Sequence, residues 1–324
     1  MAPAMPVTLQ INVAPTDLPH AVHTLPHQMR RFAAQVQEII FTYDLHRTER
    51  GGRFAEGWEE RRGPMGELLE RLCGEHPHAR VAEVDYDPAR MRLLAGELFG
   101  PGSEMPVKDT KGAPVYPYFD GLFEARNDHV LHLDSDMMFG GGSPTWVSEG
   151  SELLEAHQEV LAVNPLAGPP LLEGATPTVP SQPFTPVEGA IRVDTMNTRL
   201  YLIDRARMRR RMLPMELLGP IRLVSRVKAK LHGNPPYGAA ELVMGAAMRR
   251  AGLCRVDFPG RPPGMWSLHP PYRSPEFYRE LPRLIEQVET GRIPDAQRGD
   301  YELGDSMLDW TRARRRARIR RIWA

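Results

Sequence analysis

Hydrophobic and polar positions follow two alternating patterns along the first half of the chain. Short apolar runs rich in β-branched residues, such as residues 7–14 and 38–44, predict buried strands. Between these runs, apolar residues recur every three or four positions over longer stretches, which predicts helices. The alternation continues to residue 136. Because strands alternate with helices, we expect an α/β fold with a mostly parallel sheet flanked by helices.

The second half is less regular. Residues 164–189 are dense in proline and lack periodicity, which predicts either a long ordered loop or lid, or a linker. The stretch IRVDTMNTRLYLIDR, 191–205, predicts a pair of strands, and residues 215–233 predict a helix. We divide the chain into a main domain, residues 1–274, and a C-terminal helical extension, residues 275–324.

Charge is balanced over the chain but uneven along it. The 324 residues are 41% hydrophobic, enough for a large core, and 41 basic side chains match 41 acidic ones. The last fourteen residues, TRARRRARIRRIWA, contain seven arginines and no acid. This basic tail is a helix on an anionic membrane surface, a solvated helix, a helix that packs in a homo-oligomer, or a disordered end. The basic stretches lack interleaved aromatic residues, so we expect no nucleic-acid partner.

Cysteine usage and hydropathy bear on the compartment. Cys73 and Cys254 are the two cysteines, and neither belongs to a CxxC pair, so a reducing compartment is expected. The N-terminal residues show no signal-peptide pattern, and no run of about 18 apolar residues occurs. We therefore expect a cytoplasmic protein, or one that is peripheral to the inner face of the membrane.

Carboxylates follow several of the predicted strands. In VLHLDSDMMFGGG, residues 130–142, an apolar run ends at Asp134 and Asp136 before three glycines. Two buried carboxylates repel each other, and a cation, either bound or arriving with a substrate, would remove that cost. Asp17 and Asp44 also follow strands. Ligands of such sheets bind at the carboxyl ends of strands, so these four side chains predict one site.

The order of these features resembles that of GT-A fold glycosyltransferases, particularly the family 2-like group, over about residues 7–270. The matching features are Pro15-Thr16-Asp17 after the first strand, Asp44 after the second, Asp134-Ser135-Asp136 after a hydrophobic strand, ELVMGAAMRRAGLCRVDFPG (residues 241–260), and His269 after it.

The resemblance implies a nucleotide-sugar donor, a UDP- or GDP-sugar, and a divalent metal. It assigns Pro15, Thr16 and Asp17 to the nucleotide pocket and Asp44 to the neighbourhood of the base, with residues 7–140 forming the donor half of the domain. Donor contacts extend to Asp134 and Ser135. The implied metal ligands are Asp134, Asp136 and His269. An imidazole ligand favours Mn²⁺ over Mg²⁺.

The resemblance also implies an acceptor half, residues 141–274, with Glu241 as the catalytic base. A carboxylate that removes the proton of an acceptor hydroxyl contributes roughly 10²- to 10⁴-fold in rate, and backside attack inverts the anomeric centre. The family has an acid where Ala240 stands, so the base and the inverting outcome both depend on Glu241 alone. The basic stretch 199–230 predicts an anionic acceptor, and Gly140–Gly142 predict close approach of the backbone to the sugar.

Other readings remain open at this stage. A haloacid-dehalogenase-type phosphatase also places Asp-x-Asp after a strand, but it usually has Thr or Val where Met138 stands. A catalytically inactive, glycosyltransferase-like binding protein is the other alternative. Asp17 could cap a helix, Glu241 could be a first-turn acid, and His269 could be a turn residue. Trp266 either stacks on a base or sugar or fills the core.

Overall fold

The computed structural model describes residues 5–47, 55–171, 182–219, 229–231 and 233–323. The strands are β1 Val7–Val13, β2 Glu38–Tyr43, β3 Ala79–Glu83, β4 His129–Asp134, β5 Met138–Gly140, β6 Val160–Asn164, β7 Leu166–Ala167, β8 Gln182–Pro183, β9 Ile191–Val193, β10 Leu200–Asp204, β11 Cys254–Asp257 and β12 Trp266–Leu268. The helices are α1 Leu18–Phe32, α2 Trp58–Glu75, α3 Pro88–Phe99, α4 Tyr116–Glu124, α5 Trp146–Ala156, α6 Arg205–Arg211, α7 Ala240–Arg250, α8 Pro275–Thr290 and α9 Thr311–Trp323.

Nine of these strands form one mixed sheet in the order β3-β2-β1-β4-β10-β6-β11-β9-β8. The four strands from β3 to β4 are parallel to one another. Following the pairings across the rest of the sheet, β9 and β10 run against the direction that the other seven strands share. The predicted α/β class, with a mostly parallel sheet flanked by helices, is confirmed.

Apolar side chains pack on both faces of this sheet. Along β4, Leu131 and Leu133 point into one hydrophobic core, while Val130 points into the core on the opposite face. This follows from the two-residue period of a strand, which sends successive side chains to opposite faces. Both faces are therefore buried, and the polar groups of the strands collect at their ends.

A second, three-stranded sheet, β5-β12-β7, joins the C-terminal extension to the main sheet. Met138 of β5 and Trp266 of β12 belong to the same hydrophobic cluster as Phe277 and Trp310 of the extension. Because β5 begins two residues after Asp136, packing of the extension bears directly on the position of that carboxylate. Of the helices in the described parts of the chain, none is long and apolar enough to cross a membrane.

Two expectations for the second half need correction. The strands predicted in residues 191–205 form as β9 and β10, but they do not pair with each other, because β6 and β11 lie between them. Residues 215–219 are not helical. Most of the rest of the helix predicted there, residues 220–228 and 232, lies outside the described residues. The centre of the proline-rich segment, residues 172–181, lies outside them as well.

Candidate functional site

The end of β4 is held by neighbouring backbone and amide groups. Asp134 pairs in register with Asn12 of β1, and its backbone N–H donates to the carbonyl of Arg199, 2.7 Å away. The Gln28 side chain of α1 donates to the carbonyls of Asp134 and Met137, both at 3.0 Å. These bonds fix the turn that presents Asp136 at the carboxyl edge of the sheet.

An arginine places a positive charge between Asp136 and Asp17. Arg273 donates through Nε to Oδ2 of Asp136 and through Nη1 to Oδ1 of Asp17, at 2.9 Å in each case. The Asp136 side chain is 2% exposed. Burial alone would raise the pKa of Asp136, but the charges of Arg273 and then of His269 outweigh it and hold that pKa well below its usual range. Asp136 is therefore ionised at neutral pH.

The second oxygen of Asp136 is the acceptor that a ligand could use. Oδ1 of Asp136 is buried and accepts no hydrogen bond within the described part of the chain. Nε2 of His269 lies 3.7 Å from Oδ2 of the same carboxylate, and the imidazole stacks on Tyr301 at 5.8 Å between ring centroids. Asp136 and His269 are thus neighbours, and their assignment as metal ligands stays a prediction.

Asp134 has different surroundings. Its Oδ1 accepts a hydrogen bond of 2.8 Å from the Tyr118 hydroxyl and lies 3.6 Å from Nε2 of His132. Asp134, Asp136 and His269 do not form a compact three-ligand group of the kind seen elsewhere in the described residues. Divalent ions that act on phosphates are often held by only one or two protein ligands, with phosphate oxygens completing the shell. Asp136 and His269 fit such an ion, and Asp134 lies beside them.

The predicted nucleotide residues lie on the adjoining strands. Pro15, Thr16 and Asp17 form a single turn of 3₁₀-helix, in which Oδ2 of Asp17 accepts from the backbone N–H of Ala14 at 3.0 Å. Asp17 precedes α1, but its side chain makes no capping bond to that helix. It turns towards Arg273 instead, so the helix-cap reading of Asp17 is wrong.

A cleft opens beside Asp44. It is lined by Ala14, Thr16, Asp44, His46, Trp58, Tyr86, Val107, Lys108, Gly112 and Pro114. Oδ1 of Asp44 accepts from the Tyr86 hydroxyl at 3.0 Å and from the backbone N–H of His46 at 2.9 Å. Burial raises the pKa of Asp44 although both hydrogen bonds oppose the shift. The rings of His46 and Tyr86 stack at 4.7 Å, which gives this cleft an aromatic wall.

Glu241 is exposed in the first turn of α7. Burial alone would lower the pKa of Arg199, but Tyr301, Asp134, Asp136 and Glu241 together raise it, so Glu241 belongs to the charged surroundings of the same site. Its assignment as the base stays a prediction. Ala240 is buried against the core, where an acid would be costly.

Sequence reasoning missed Arg273, which shapes this site together with His20. Arg273 lies in a loop without periodicity, and the one available signal was a cation four residues after His269. His20 of α1 is fully buried, with Nε2 3.0 Å from Oγ of Ser135. Burial and then the charge of Arg273 lower the pKa of His20 to about 4. His20 is therefore neutral near pH 7, which leaves Arg273 as the counter-charge of Asp17 and Asp136.

The structure gives Gly140, Gly141 and Gly142 a structural reason of their own. A Cβ added to Gly140 would lie 1.9 Å from the ring of Trp266, and one added to Gly141 would lie 2.4 Å from the carbonyl oxygen of Gly264. At Gly142 an added Cβ would meet only the flexible end of the Arg31 side chain, but the φ of +90° favours glycine there. Packing and backbone conformation therefore account for these glycines, and close approach of a sugar to them stays a prediction. Trp266 is buried in the core, as the alternative reading held.

The prediction that the basic stretch 199–230 lines the acceptor side is wrong for the arginines of α6. Helix α6, which carries Arg209, Arg210 and Arg211, begins directly after Asp204. Asp204 pairs with His129 at the start of β4, and five strand residues, about 17 Å, separate His129 from Asp134. These arginines therefore lie towards the opposite edge of the sheet, and Arg209 pairs there with Glu97. Residues 220–228 of the basic stretch lie outside the described residues.

The chain is similar to several solved structures. No protein-family model and no curated protein sequence matches it. S. aureus TarS in complex with UDP-GlcNAc is 12% identical with a TM-score of 0.44, over 90% of this chain and 69% of that chain. The galactosyltransferase LgtC, in complex with donor and acceptor sugar analogues, is 11% identical with a TM-score of 0.37, over 76% of this chain and 72% of that chain.

The fold of the chain thus resembles that of solved GT-A-type glycosyltransferases, as the sequence predicts. At these identities and with TM-scores below 0.5, the resemblance concerns the fold and carries no argument about substrate or reaction.

Proposed function

We propose that this protein is a glycosyltransferase that moves a sugar from a nucleotide-diphosphate donor to an acceptor hydroxyl. One observation carries the proposal. Asp17 and Asp136 meet at the carboxyl edge of the sheet around Arg273, and Asp136 keeps one buried oxygen without a hydrogen bond. An ionised, buried carboxylate with a spare acceptor beside a guanidinium suits a ligand that combines a cation with phosphate groups.

The nucleoside would occupy the cleft beside Asp44. Its aromatic wall of His46 and Tyr86 suits a planar base, and Thr16 and Asp17 lie between this cleft and Arg273. We propose uridine or guanosine as the base. The diphosphate would then reach Arg273, whose side chain is 28% exposed and offers a planar donor group for phosphate oxygens.

A divalent ion, Mn²⁺ rather than Mg²⁺, is part of the proposal. Oδ1 of Asp136 and the His269 imidazole would hold it, with Asp134 adjacent. When bound, such an ion neutralises the charge that develops on the departing diphosphate. The chain itself keeps Asp136 ionised through Arg273 and keeps Asp134 oriented through the Tyr118 hydroxyl.

Glu241 is the proposed base for the acceptor hydroxyl, which would give inversion of the anomeric centre. Its exposure leaves room for an acceptor. Its charge, with those of Tyr301, Asp134 and Asp136, raises the pKa of Arg199, which supports a position of Glu241 close to the proposed reaction centre. Within the basic stretch 199–230, Arg199 is a described residue whose charge lies near Asp134, Asp136 and Glu241, and it supports the proposal of an anionic acceptor. We retain residues 1–274 as the catalytic domain and 275–324 as its extension.

The basic tail is proposed to contact an anionic membrane surface. Arg312, Arg315 and Arg318 of α9 are exposed, and Ile319 beside them is 47% exposed. Cationic and apolar groups on one short helix are the combination that binds anionic lipid headgroups. Co-sedimentation with vesicles of anionic lipid, lost in 0.5 M salt, is the expected behaviour, and a salt-insensitive self-association would favour a homo-oligomer instead.

Calorimetric titration of nucleoside diphosphates tests the main proposal. Wild type, Asp136→Asn and the exposed control Asp295→Asn would each be titrated with UDP and GDP, with and without Mn²⁺. We expect one nucleotide to bind only with Mn²⁺, and that binding to be lost in Asp136→Asn but kept in Asp295→Asn. Absence of binding under every metal condition would refute the transferase. Release of phosphate from phosphoester substrates by wild type would then favour the phosphatase reading.

A further inference from the structure

We infer that His129, Glu155 and Asp204 form a second binding site, for a divalent transition-metal ion, at the amino edge of the main sheet. One ligand atom from each side chain lies within 4.8 Å of the other two. Oε1 of Glu155 is 3.2 Å from Nε2 of His129. The site is on the opposite edge from Asp136, so it is separate from the proposed donor site.

Three elements bring these ligands together. His129 opens β4 and pairs in antiparallel register with Asp204 at the end of β10, so both side chains lie on the same face of the sheet. Glu155 lies on α5, which packs on that sheet, one helical turn after Ser151. An ion at this point would join two strands and a helix that are distant in sequence.

The imidazole is oriented for metal binding. Nδ1 of His129 lies 3.1 Å from Oγ of Ser151, and the ring is 1% exposed. When Nδ1 donates its proton to this hydroxyl, the lone pair of Nε2 points at the two carboxylates. Metal-binding histidines commonly have their second nitrogen held by such a partner, which fixes both the tautomer and the ring orientation.

The charge of the cluster leaves a need for a cation. Asp204 accepts from the backbone N–H of Arg207 at 2.7 Å and lies 3.2 Å from Nη2 of the same residue. The guanidinium of Arg207 also donates to the carbonyls of Leu154 and His157 at the C-terminal end of α5 and to that of Val160 at the start of β6. That negative helix end shares the charge of Arg207, so the two carboxylates are incompletely neutralised.

The donor set selects the type of ion. One imidazole nitrogen and two carboxylate oxygens suit Zn²⁺ in tetrahedral geometry and leave a fourth position for water. The Glu155 side chain is 53% exposed, which gives an ion access from solvent. The expected role is stabilisation of the junction between β4, β10 and α5, with no direct part in donor binding.

Titration of Zn²⁺ into metal-stripped protein tests the site. Glu155→Gln is the main variant, because this exposed side chain contributes little to folding. Glu152→Gln, on the exposed side of the same helix, is the matched control. Asp136→Asn would be titrated as well, because it removes binding at the proposed donor site.

We expect one Zn²⁺ site that persists in Asp136→Asn and Glu152→Gln but is weakened at least about tenfold in Glu155→Gln. The unfolding temperature should rise with Zn²⁺ in wild type and not in Glu155→Gln. Equal Zn²⁺ affinity in Glu155→Gln and Glu152→Gln would overturn the inference, as would binding that disappears with Asp136 alone. Neither result depends on finding a nucleotide ligand, so failure here is separable from failure of the proposed function.

Discussion

Replacing Arg273 by alanine tests the electrostatic account of the site most directly. The guanidinium makes two charge-assisted hydrogen bonds of 2.9 Å, one to Asp17 and one to Asp136. Asp136 is almost fully buried, so in Arg273→Ala its carboxylate loses its nearest counter-charge without gaining contact with water. The variant therefore tests whether Arg273 is the cation that permits two carboxylates at the carboxyl edge.

The expected loss can be bounded from the geometry. Removing one partner of a buried ion pair costs about 3–5 kcal/mol, and the 28% exposure of Arg273 favours the lower end. We therefore expect the free energy of unfolding to fall by about 3 kcal/mol at pH 7. Arg279→Ala is the control, since that side chain is 72% exposed and pairs loosely with Glu280. Its loss should stay within about 0.5 kcal/mol.

The pH dependence has a definite sign. In wild type the pKa of Asp136 is lowered, because the charges of Arg273 and His269 overcome the effect of burial. The stabilisation it contributes is therefore present above the unfolded-state pKa of about 4 and is lost as the pH falls below it. In Arg273→Ala, burial should raise the pKa of Asp136, so stability is lost as the pH rises through the raised value. The difference between the two proteins should grow from pH 4 to pH 7.

Urea unfolding of wild type, Arg273→Ala and Arg273→Ala/Asp136→Asn at pH 4.5 and 7 would measure these effects. The double variant lacks the uncompensated carboxylate, so it should recover about half or more of the loss at pH 7. A stability change below about 1 kcal/mol in Arg273→Ala, equal at both pH values, would refute the reasoning. It would mean that Asp136 is neutral or solvated in the folded protein.

Three further variants test how the site is supported. In His27→Ala the buried N–H of Phe139 loses its acceptor at 2.8 Å, so unfolding should become easier by about 2 kcal/mol. Burial lowers the pKa of His27, so wild-type stability should fall as the pH drops below about 6.5, and the variant should lose that part of the pH dependence. Trp310→Ala removes a fully buried ring that holds the extension and should cost about 3–5 kcal/mol by urea unfolding. Gly121→Ala would place Cβ 2.4 Å from Nε2 of Gln10, which is buried, and should cost about 1–3 kcal/mol in the same assay.

Matched variants control for these effects. His23→Ala changes a half-buried histidine of the same helix that makes no bond to Phe139. Burial also lowers the pKa of His23, so this variant should lose some of the pH dependence of stability, but less than His27→Ala, whose histidine is more deeply buried. Trp310→Phe keeps most of the buried volume, so it should cost less than Trp310→Ala. Gly66→Ala has no atom near the added Cβ within helix α2, and it should stabilise by roughly 0.5–1 kcal/mol. If Gly121→Ala behaves like Gly66→Ala, the packing around Gln10 is looser than the structure describes.

The sequence by itself determined most of the helices and strands of the first half, and it determined which carboxylates lie at the carboxyl edge of the sheet. Periodicity is a local property, so short windows of sequence show the alternation of strands and helices. They also show that Asp17, Asp44 and Asp134 lie at strand ends or shortly after them. Parallel strands end at one edge, so convergence of these carboxylates followed without knowledge of the packing. The turn that carries Asp136 is predicted for the same reason, because it directly follows the apolar run of β4.

Only the tertiary structure decided what surrounds those carboxylates. Arg273 contacts Asp136 across 137 positions of the chain, and no local pattern distinguishes it from other loop arginines. The atoms that fill the space over Gly140 come from β12, and the arginines of α6 lie towards the far edge because β10 runs against β4. Strand order and direction result from burying apolar faces jointly over the whole chain. A sequence pattern therefore predicts which residues end a strand, whereas packing determines which distant charge meets them.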